Sequence, residues 1–563
     1  MTMQLDFPKR VLRVPTGLLA LLIALVWGAP AVSAADPAKD YVYKVAKGDT
    51  VIGLSSRLLK SPADWPQIVR YNRMRNQHYI VPGATLLVPL ALLNNALAGV
   101  TVTHVQGDVK AVASAGAAAS VLALGASLAE GAQVVTGKDG YATLKLQDGS
   151  TVRVQSGTDM QVERQRSYND VGIFESVIKL SAGRVESLVR KFLPDAAKQT
   201  RHEVKTPQAN LAVRGTEFRV TMDTQSNTTR GEVLEGVVAM AADGSSARRL
   251  ESGFGSVVGA GQKTVSDPVA LLAAPDVTQL AKLHERTILR FPLPTVSGAI
   301  SYRGQVARDD AFNLVVAEIV SASPEIRVAD IADGNYFFRA RAVDGRGLEG
   351  RDATAHAFTL KARPEPPLVS VPPAKGKVRA TEVVFKWGEN TEAATYHLQV
   401  ARDAAFRTLA HDDKAVKGVQ SVVGKLGVGD YFWRVASLRK DGDHGPFGDA
   451  SGFSLLAPPA VPEPPKISDT GINFRWAGEP GQRFEFQLAG NAKFDKPIAA
   501  YTLTSPEIDL PIPREGTYYM RFRAIDADGF VGPYIPAQRF VVPLPPWPSP
   551  YPVPSLRLYD ATP

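Results

Sequence analysis

The sequence contains no cysteine, and this absence removes several kinds of chemistry at once. Without thiols there are no disulfides, no thiolate catalysis, no cysteine-based metal site and no lipoprotein anchor. The HExxH, GxSxG and phosphate-binding P-loop motifs are also missing, and the eight histidines are scattered without metal-ligand spacing. We therefore expect no catalytic residue, no metal site and no cofactor.

A strong charge of one sign is also lacking. The formal net charge of +8 is spread over 563 residues, and no run of five basic residues occurs. This balance produces mild attraction to anionic polymers, but it is not the concentrated basic patch of a nucleic-acid-binding protein. We expect no nucleic-acid partner.

Only one stretch is strongly apolar, Gly17–Trp27, which follows three basic residues. It is short for a membrane span of about twenty residues, and small residues ending at Ala34 follow it. We predict a signal peptide over residues 1–34, with an uncleaved anchor as the alternative, and no integral membrane span after cleavage. Export without disulfides favours the periplasm or cell envelope of a Gram-negative bacterium.

Proline (41) and glycine (47) are abundant, and Val- and Thr-containing runs are short, which predicts a mainly β chain with many turns. The length suggests about four domains. Three proline-rich strings, Arg363–Pro373, Ala457–Lys466 and Pro543–Pro554, divide the C-terminal half. Because proline extends the chain, we interpret them as semi-rigid spacers.

The segments between these strings repeat one another. Two blocks recur in the same order: "YRGQVARDDAF", "YHLQVARDAAF" and "FEFQLAGNAKF", then "GNYFFRARAVDGRG", "GDYFWRVASLRKDG" and "GTYYMRFRAIDADG". Because both blocks recur in the same order, we predict three homologous β-sandwiches, at residues 288–362, 374–456 and 466–543. A proline-rich tail follows at residues 544–563. Trp387 and Trp476 are expected to fill the sandwich cores. The blocks resemble fibronectin type III domains, although Phe291 and prolines replace the tryptophan motif in the first.

The region 100–265 also has a β pattern. Two Asp-Gly turns flank the alternating stretch Tyr141–Gln147, which predicts a hairpin. Beyond this region, Asp276 can cap an apolar pattern of helical spacing in "DVTQLAKLHERT". We predict a helical connector at residues 276–287.

The segment Tyr41–Leu90 is predicted to form a small β-α-α-β module, residues 41–90. Asp49 or Thr50 can cap its first helix, and Pro82-Gly83 forms a turn before the last strand, "TLLVPL". The segment resembles the LysM module through Val45, Gly48-Asp49-Thr50, Leu54, Trp65, Ile68, Asn72, Ile80, Pro82-Gly83, Leu86 and Pro89.

The LysM resemblance implies binding of N-acetylglucosamine-containing glycans, usually peptidoglycan, in a groove between two loops. Carried over to this sequence, the groove comprises Gly48, Asp49, Thr50 and Val51, facing Ile80, Val81, Pro82 and Gly83. Backbone groups and an apolar floor suffice for a neutral acetamido sugar. The alternative is that these residues only form turns and a helix cap, and both roles are compatible.

Residues 100–265 resemble the FecR-type domain. The resemblance rests on "GDVKAV", on Gly125–Val154 and most specifically on "TPQANLAVRGTEFRV", Thr206–Val220. It implies a periplasmic domain that takes part in signalling through a membrane partner. Because this sequence shows no second membrane segment, we expect only the fold and an interaction role to carry over.

Three stretches resemble catalytic or metal-binding motifs, but their local patterns favour a purely structural role. Arg214 and Glu217 flank Gly215, which predicts a strand, a glycine turn and a second strand, not an acid–base pair. Ser176–Lys179 has the spacing of a Ser-x-x-Lys motif but lies in an alternating strand. Asp441–His444 lies in a hairpin loop that the other repeats do not share, which favours a solvated turn over a cation site.

Together these observations predict a mainly β, multidomain, non-enzymatic protein of the cell envelope. The first hypothesis is a peptidoglycan-binding scaffold or adaptor with an envelope protein partner. The second is a sensory component that works with a separate membrane transducer. Wall-remodelling enzyme activity is the third, and it would release muropeptides from purified sacculi.

Overall fold

A computed structural model describes residues 40–543, apart from residues 115, 192–198, 214 and 469. The predicted signal peptide and the proline-rich tail lie outside the described residues, as does Arg214. The chain divides into two compact units, Met1–Leu271 and Leu272–Pro563. Both are built mainly from β-strands, which confirms the predicted fold class.

The first unit begins with the predicted β-α-α-β module. Its elements are β1 (Asp40–Lys44), α1 (Val51–Leu58), a 3-10 turn (Pro62–Asp64), α2 (Trp65–Tyr71) and β2 (Thr85–Pro89). The two strands pair antiparallel, with Lys44 opposite Thr85 at one end. The Thr50 hydroxyl accepts a hydrogen bond from the Gly53 amide at 3.0 Å, so Thr50 is the helix cap.

Eighteen strands form the rest of the first unit. They are β3 (Ala96–Leu97), β4 (Val100–Gln106), β5 (Val109–Val112), β6 (Ser120–Val121), β7 (Ser127–Leu128), β8 (Gln133–Thr136), β9 (Tyr141–Leu146), β10 (Thr151–Val154), β11 (Asp159–Tyr168), β12 (Ile173–Leu188), β13 (Gln199–Lys205), β14 (Ala209–Val213), β15 (Glu217–Asp223), β16 (Thr228–Glu235), β17 (Val237–Ala242), β18 (Arg248–Glu251), β19 (Phe254–Val258) and β20 (Val269–Ala270). Two further 3-10 turns occur at Leu90–Leu92 and Asn169–Val171. The predicted hairpin is present as β9 and β10.

The long strand β12 joins two sheets of this domain into a closed barrel. Its first part pairs with β11 and β13, and its second part pairs with β10 and β15. Gly183 lies at the change of sheet with φ +80, and a Cβ there would lie 2.5 Å from the Gly157 carbonyl oxygen. Only glycine fits this bend, because both the backbone angle and the space exclude a side chain.

The LysM-like module packs directly on the barrel domain. Tyr168 and Ile173, from β11 and β12, belong to the same buried cluster as the apolar residues of α1, α2 and β2. The Asn94 amide also donates to the Leu58 carbonyl at 2.8 Å. The module is therefore a fixed part of the first unit.

The second unit contains three sandwiches. The first has β21 (Leu283–His284), β22 (Leu289–Pro292), β23 (Ser301–Ala307), β24 (Val315–Ser321), β25 (Glu325–Val328), β26 (Gly334–Val343) and β27 (His356–Leu360). The second has β28 (Val369–Val371), β29 (Gly376–Arg379), β30 (Glu382–Trp387), β31 (Thr395–Ala401), β32 (Leu409–Val416), β33 (Gln420–Gly424), β34 (Gly429–Leu438), β35 (His444–Phe447) and β36 (Ser451–Leu456). The third has β37 (Lys466–Ile467), β38 (Ile472–Arg475), β39 (Arg483–Ala489), β40 (Pro497–Leu503), β41 (Glu507–Leu510), β42 (Gly516–Ile525) and β43 (Gln538–Val542).

The three sandwiches share internal details that support their common origin. Trp387 and Trp476 are buried in the cores, as predicted. In each repeat a tyrosine hydroxyl donates to the carbonyl four residues upstream; the three are Tyr336, Tyr431 and Tyr518. Such a bond ties a strand to the loop before it, as in the tyrosine corner of immunoglobulin-like sandwiches.

The helical connector predicted at residues 276–287 is wrong. Asp276 does accept a hydrogen bond from the Thr278 amide at 2.8 Å, but this bond closes a turn. Leu283 and His284 then form β21, which pairs parallel with β27. Val277 and Leu280 are buried in the first sandwich. Tertiary pairing and burial override the local helical spacing.

The first proline-rich string is not only a spacer. Val369–Val371 within it forms β28, which pairs with β30 of the second sandwich, so this sandwich begins before the predicted residue 374. Ion pairs join successive sandwiches: Lys361 Nζ lies 2.8 Å from Asp443 Oδ1, and Arg379 Nη2 lies 3.1 Å from Asp526 Oδ1. These contacts connect one strand end to the hairpin loop of the next repeat.

Candidate functional site

The two loops predicted to form the groove leave the same end of the β1–β2 pair. One loop follows Lys44 and the other precedes Thr85, and these two residues are opposite each other in the sheet. The Gly83 amide donates to the Val45 carbonyl at 2.7 Å, which joins the second loop to the start of the first. The structure therefore brings the two predicted halves of the site together.

In the first loop, Asp49 organises the backbone. Its Oδ2 accepts hydrogen bonds from the Tyr43 hydroxyl and from the Ala46 amide, both at 2.7 Å. The Tyr43 hydrogen bond, followed by the Ala46 amide, holds the pKa of Asp49 below its ordinary value. Together with the Thr50 cap, this network gives Asp49 and Thr50 structural roles.

The eight predicted site residues divide by exposure. Val51 and Ile80 are buried in the module core and can form only the floor of a site. Gly48, Thr50, Pro82 and Gly83 are exposed, Val81 is 55% exposed, and Asp49 is half-buried. Gly48 and Gly83 have positive φ values of +92 and +83, which favour glycine. The accessible surface is thus backbone with the side chains of Thr50, Val81 and Pro82, which suits a neutral sugar.

A cleft of about 340 Å³ adjoins the second loop. It shares Ile80 and Val81 with the predicted site, but most of its lining was missed from the sequence. The lining residues that lie outside the predicted site are Val45, Tyr71, Asn72, Arg73, Met74, Arg75, Asn76, Tyr79, Ala84, Thr85, Leu86 and Leu87. The polar and aromatic run "YNRMRNQHY" between α2 and β2 was the available signal.

Asn72 closes the inner end of this cleft. Its side-chain amide donates to the Leu87 carbonyl at 2.7 Å and accepts from the Leu87 amide at 2.8 Å. A third bond, to the Ile68 carbonyl at 2.9 Å, fixes the end of α2. The cleft wall is therefore held by side-chain bonds between the helix and the strand.

The barrel domain contains a buried row of alternating charges. Across neighbouring strands the register places Arg153 opposite Glu186, Glu186 opposite Arg219, and Arg219 opposite Glu232. All four side chains are almost fully buried; Arg153 pairs with Glu186, and Arg219 Nε lies 3.9 Å from Glu232 Oε2. The row is neutral overall, and mutual pairing offsets the cost of burying each charge.

His202 of β13 is also buried in this domain. Its Nε2 lies 3.1 Å from the Ser187 hydroxyl, while Nδ1 has no hydrogen-bond partner among the described residues. Burial lowers the pKa of His202 to about 4, although the nearby Asp148 acts in the opposite direction. The ring is neutral at pH 7.

The stretch Thr206–Val220 contains the predicted elements. β14 and β15 flank Gly215, which has φ +75, and Leu211 and Val213 are buried in the barrel core. Arg153 Nη1 lies 4.0 Å from Glu217 Oε1. These placements agree with an architectural role for the stretch.

The residues of the two other motif-like stretches, Ser176–Lys179 and Asp441–His444, form hydrogen bonds and ion pairs of a structural kind. Ser176 accepts a hydrogen bond from Gln165 Nε2 within paired strands. Asp443 forms ion pairs with Lys361 and Arg439. The Nε2 atom of His444 lies 2.9 Å from Nδ1 of His397. Within the described parts of 40–543, no group of three His, Asp or Glu side chains is placed to hold a metal ion. No helix in these same parts is long and apolar enough to cross a membrane.

Comparison with protein families supports both N-terminal assignments. Residues 43–89 match the model of the LysM domain, and residues 132–239 match that of the FecR protein. The chain contains a LysM domain and a FecR domain. The LysM domain indicates glycan binding, and the FecR domain indicates a signalling or protein-binding part. Both are binding and signalling domains, not catalytic ones.

Solved structures resemble parts of the chain. Two structures of a Parabacteroides distasonis protein, provisionally described as an anti-sigma factor, are 20% and 18% identical, each with a TM-score of 0.20. Each match covers 24% of this chain and 59% of the other. The FN1–FN3 domains of chicken CNTN1 are 14% identical, with a TM-score of 0.18, and the match covers 48% of this chain and 98% of that one. The search of curated proteins found no match.

Proposed function

We propose that this protein is an exported, non-enzymatic scaffold or adaptor that binds peptidoglycan and holds its FecR and sandwich domains in the cell envelope. The packing of the LysM domain on the FecR domain carries the proposal. Tyr168 and Ile173 come from the FecR domain but belong to the LysM core. A glycan bound to the LysM domain therefore also fixes the position of the FecR domain.

Export and location belong to the same proposal. The apolar segment Gly17–Trp27 has the length and flanks of a signal peptide, and a glycan-binding domain is useful where peptidoglycan is present. The three sandwiches follow the FecR domain in the sequence and offer surface to an envelope protein partner. A single LysM copy binds with modest affinity, because the increase in avidity that several linked copies provide is missing.

Cosedimentation of the full-length mature chain with purified sacculi tests peptidoglycan binding. Val81→Asp places a charge on the second groove loop and should reduce the bound fraction at least several-fold. Val42→Asp is the matched control, because Val42 is 53% exposed and lies on β1, outside the groove loops. Equal retention of the wild type and Val81→Asp would contradict this site, and absence of retention for the wild type would contradict peptidoglycan binding.

The second candidate function is that of a periplasmic sensory component working with a separate membrane transducer. The match of residues 132–239 to the FecR protein supports it. Crosslinking in intact cells should then join this chain to an anti-sigma regulator or an outer-membrane transporter. Recovery of neither would favour the scaffold. Release of muropeptides from sacculi by the purified chain would instead overturn the non-enzymatic assignment.

A further inference from the structure

Two arginines in the cleft beside the groove have no partner. Arg73 and Arg75 line the cleft and are exposed, and neither side chain makes an ion pair or hydrogen bond with the described residues. Most other arginines in the described part of the chain are paired: Arg57, for example, donates to the Tyr43 hydroxyl at 2.8 Å. An unpaired guanidinium group suits a carboxylate, because its N–H donors match the two carboxylate oxygens.

The backbone at Arg73 adds a second observation. Arg73 follows the end of α2 with φ +50, and the Met74 amide donates to the Val69 carbonyl at 3.0 Å. This bond pattern is that of a Schellman helix end, where glycine is the usual residue. An arginine in this left-handed conformation is less favourable than glycine, so the helix end itself does not explain its presence.

The charge around the cleft is one-sided. The module, residues 40–90, has seven Lys and Arg residues and three carboxylates, Asp40, Asp49 and Asp64. Asp49 is held by Tyr43 and Ala46, and Asp64 accepts from Gln67 Nε2 at 2.7 Å. Asp40 is buried and accepts from the hydroxyl of the cleft residue Tyr71 at 2.7 Å. None of the three carboxylates lines the cleft, so a ligand that enters it meets positive charge in the lining itself.

We propose that Arg73 and Arg75 bind the carboxylates of the stem peptides that peptidoglycan strands carry. This inference rests on the proposed glycan-binding function and deepens it. Ile80 and Val81 belong both to the groove loop and to the cleft, so a sugar in the groove would place its attached peptide beside the arginines. Tyr71 and Tyr79 supply apolar walls for the peptide chain. The domain thereby prefers peptidoglycan to chitin, a neutral polymer of the same acetamido sugar.

Isothermal titration of the full-length mature chain tests this preference with two soluble ligands. One is a peptidoglycan tetrasaccharide with tetrapeptide stems, and the other is the same tetrasaccharide after amidase removal of the stems. The test variant is Arg73→Gln/Arg75→Gln. The matched control is Lys60→Gln/Arg70→Gln, which removes two charges from exposed residues of the same domain that lie outside the groove loops and do not line the cleft.

The wild type should bind the stem-carrying ligand about tenfold more tightly than the stripped one, which is the scale of two solvent-exposed ion pairs. The test variant should lose this ratio and keep its affinity for the stripped ligand, while the control retains the ratio. Arg73→Gly provides a second check, because it removes the charge and also relieves the backbone. It should weaken binding of the stem-carrying ligand without lowering the melting temperature.

Each contrary outcome has one meaning. Equal wild-type affinity for the two ligands would overturn the stem-peptide inference and leave glycan binding intact. An equal loss in the control variant would also overturn it, because general attraction to the basic domain would then suffice. Failure of the wild type to bind either ligand would contradict the proposed glycan-binding function itself and this inference with it.

Discussion

Acidification should destabilise the FecR domain through His202. The side chain is 1% exposed, and its ring packs edge-on against Phe218 with ring centroids 5.9 Å apart. An unfolded chain exposes this imidazole to water, where its pKa returns to the ordinary value of 6.5. The unfolded state therefore binds a proton at a higher pH than the folded state does.

The sign and size of the effect follow from the two pKa values. The folded pKa of about 4 lies below the unfolded value, so the stabilising contribution is complete above pH 6.5 and is lost as the pH falls towards 4. Linkage places the loss in the free energy of unfolding at about 2 kcal/mol by pH 5 and about 3 kcal/mol by pH 4. Such a loss is a large part of the stability of an ordinary domain.

Hydrogen exchange of the β13 amides in the full chain can measure this loss, with rates corrected for the intrinsic effect of pH. Between pH 7.5 and pH 5, the opening free energy should fall by about 2 kcal/mol more in the wild type than in His202→Gln. Glutamine keeps a hydrogen-bonding group near Ser187 but does not titrate. His78→Gln, at an exposed loop position, should behave like the wild type. Identical pH dependence in His202→Gln and the wild type would refute the reasoning.

Two further predictions concern a buried ion pair of the FecR domain and an ion pair between the second and third sandwiches. Arg219→Met should lower the free energy of unfolding by about 3–5 kcal/mol, because it leaves Glu232 buried without its cation, and the double variant Arg219→Met/Glu232→Leu should recover much of the loss. Thermal unfolding checks this, and a single variant as stable as the double one would contradict it. Arg379→Ala should weaken the joint to Asp526 by about 1–3 kcal/mol without unfolding either sandwich. Faster limited proteolysis within residues 457–465 is the expected readout, and an unchanged cleavage rate would show that the pair does not hold the joint.

Local sequence patterns predicted the fold correctly where a pattern recurs along the chain or where a turn requires particular residues. The three sandwiches were evident because the same two blocks recur in the same order, and the expected core residues Trp387 and Trp476 are both buried. The hairpin of β9 and β10 followed from two Asp-Gly turns. The order of elements in the LysM domain followed from its caps and apolar spacing, and the eight site residues followed from family resemblance, not from geometry.

Local patterns failed where a distant segment decides the conformation. Residues 276–287 have helical spacing, but β27 offers hydrogen bonds to Leu283 and His284, and the sandwich core buries Val277. Likewise Val369–Val371 lies among prolines, yet it pairs with β30 as a short edge strand. Proline is tolerated at edges because it needs no donor there, so its presence did not exclude a strand.

The sequence by itself determined the modular order, the mainly β character and the absence of cysteine chemistry. These depend on residue type and on spacing over a few positions. Only the tertiary structure decided that the LysM and FecR domains share a core, that Arg153, Glu186, Arg219 and Glu232 form one row, and that Arg73 and Arg75 line a cleft beside Val81. The pairing and packing of remote segments set these relations, and local periodicity predicts the type of an element but not its partner.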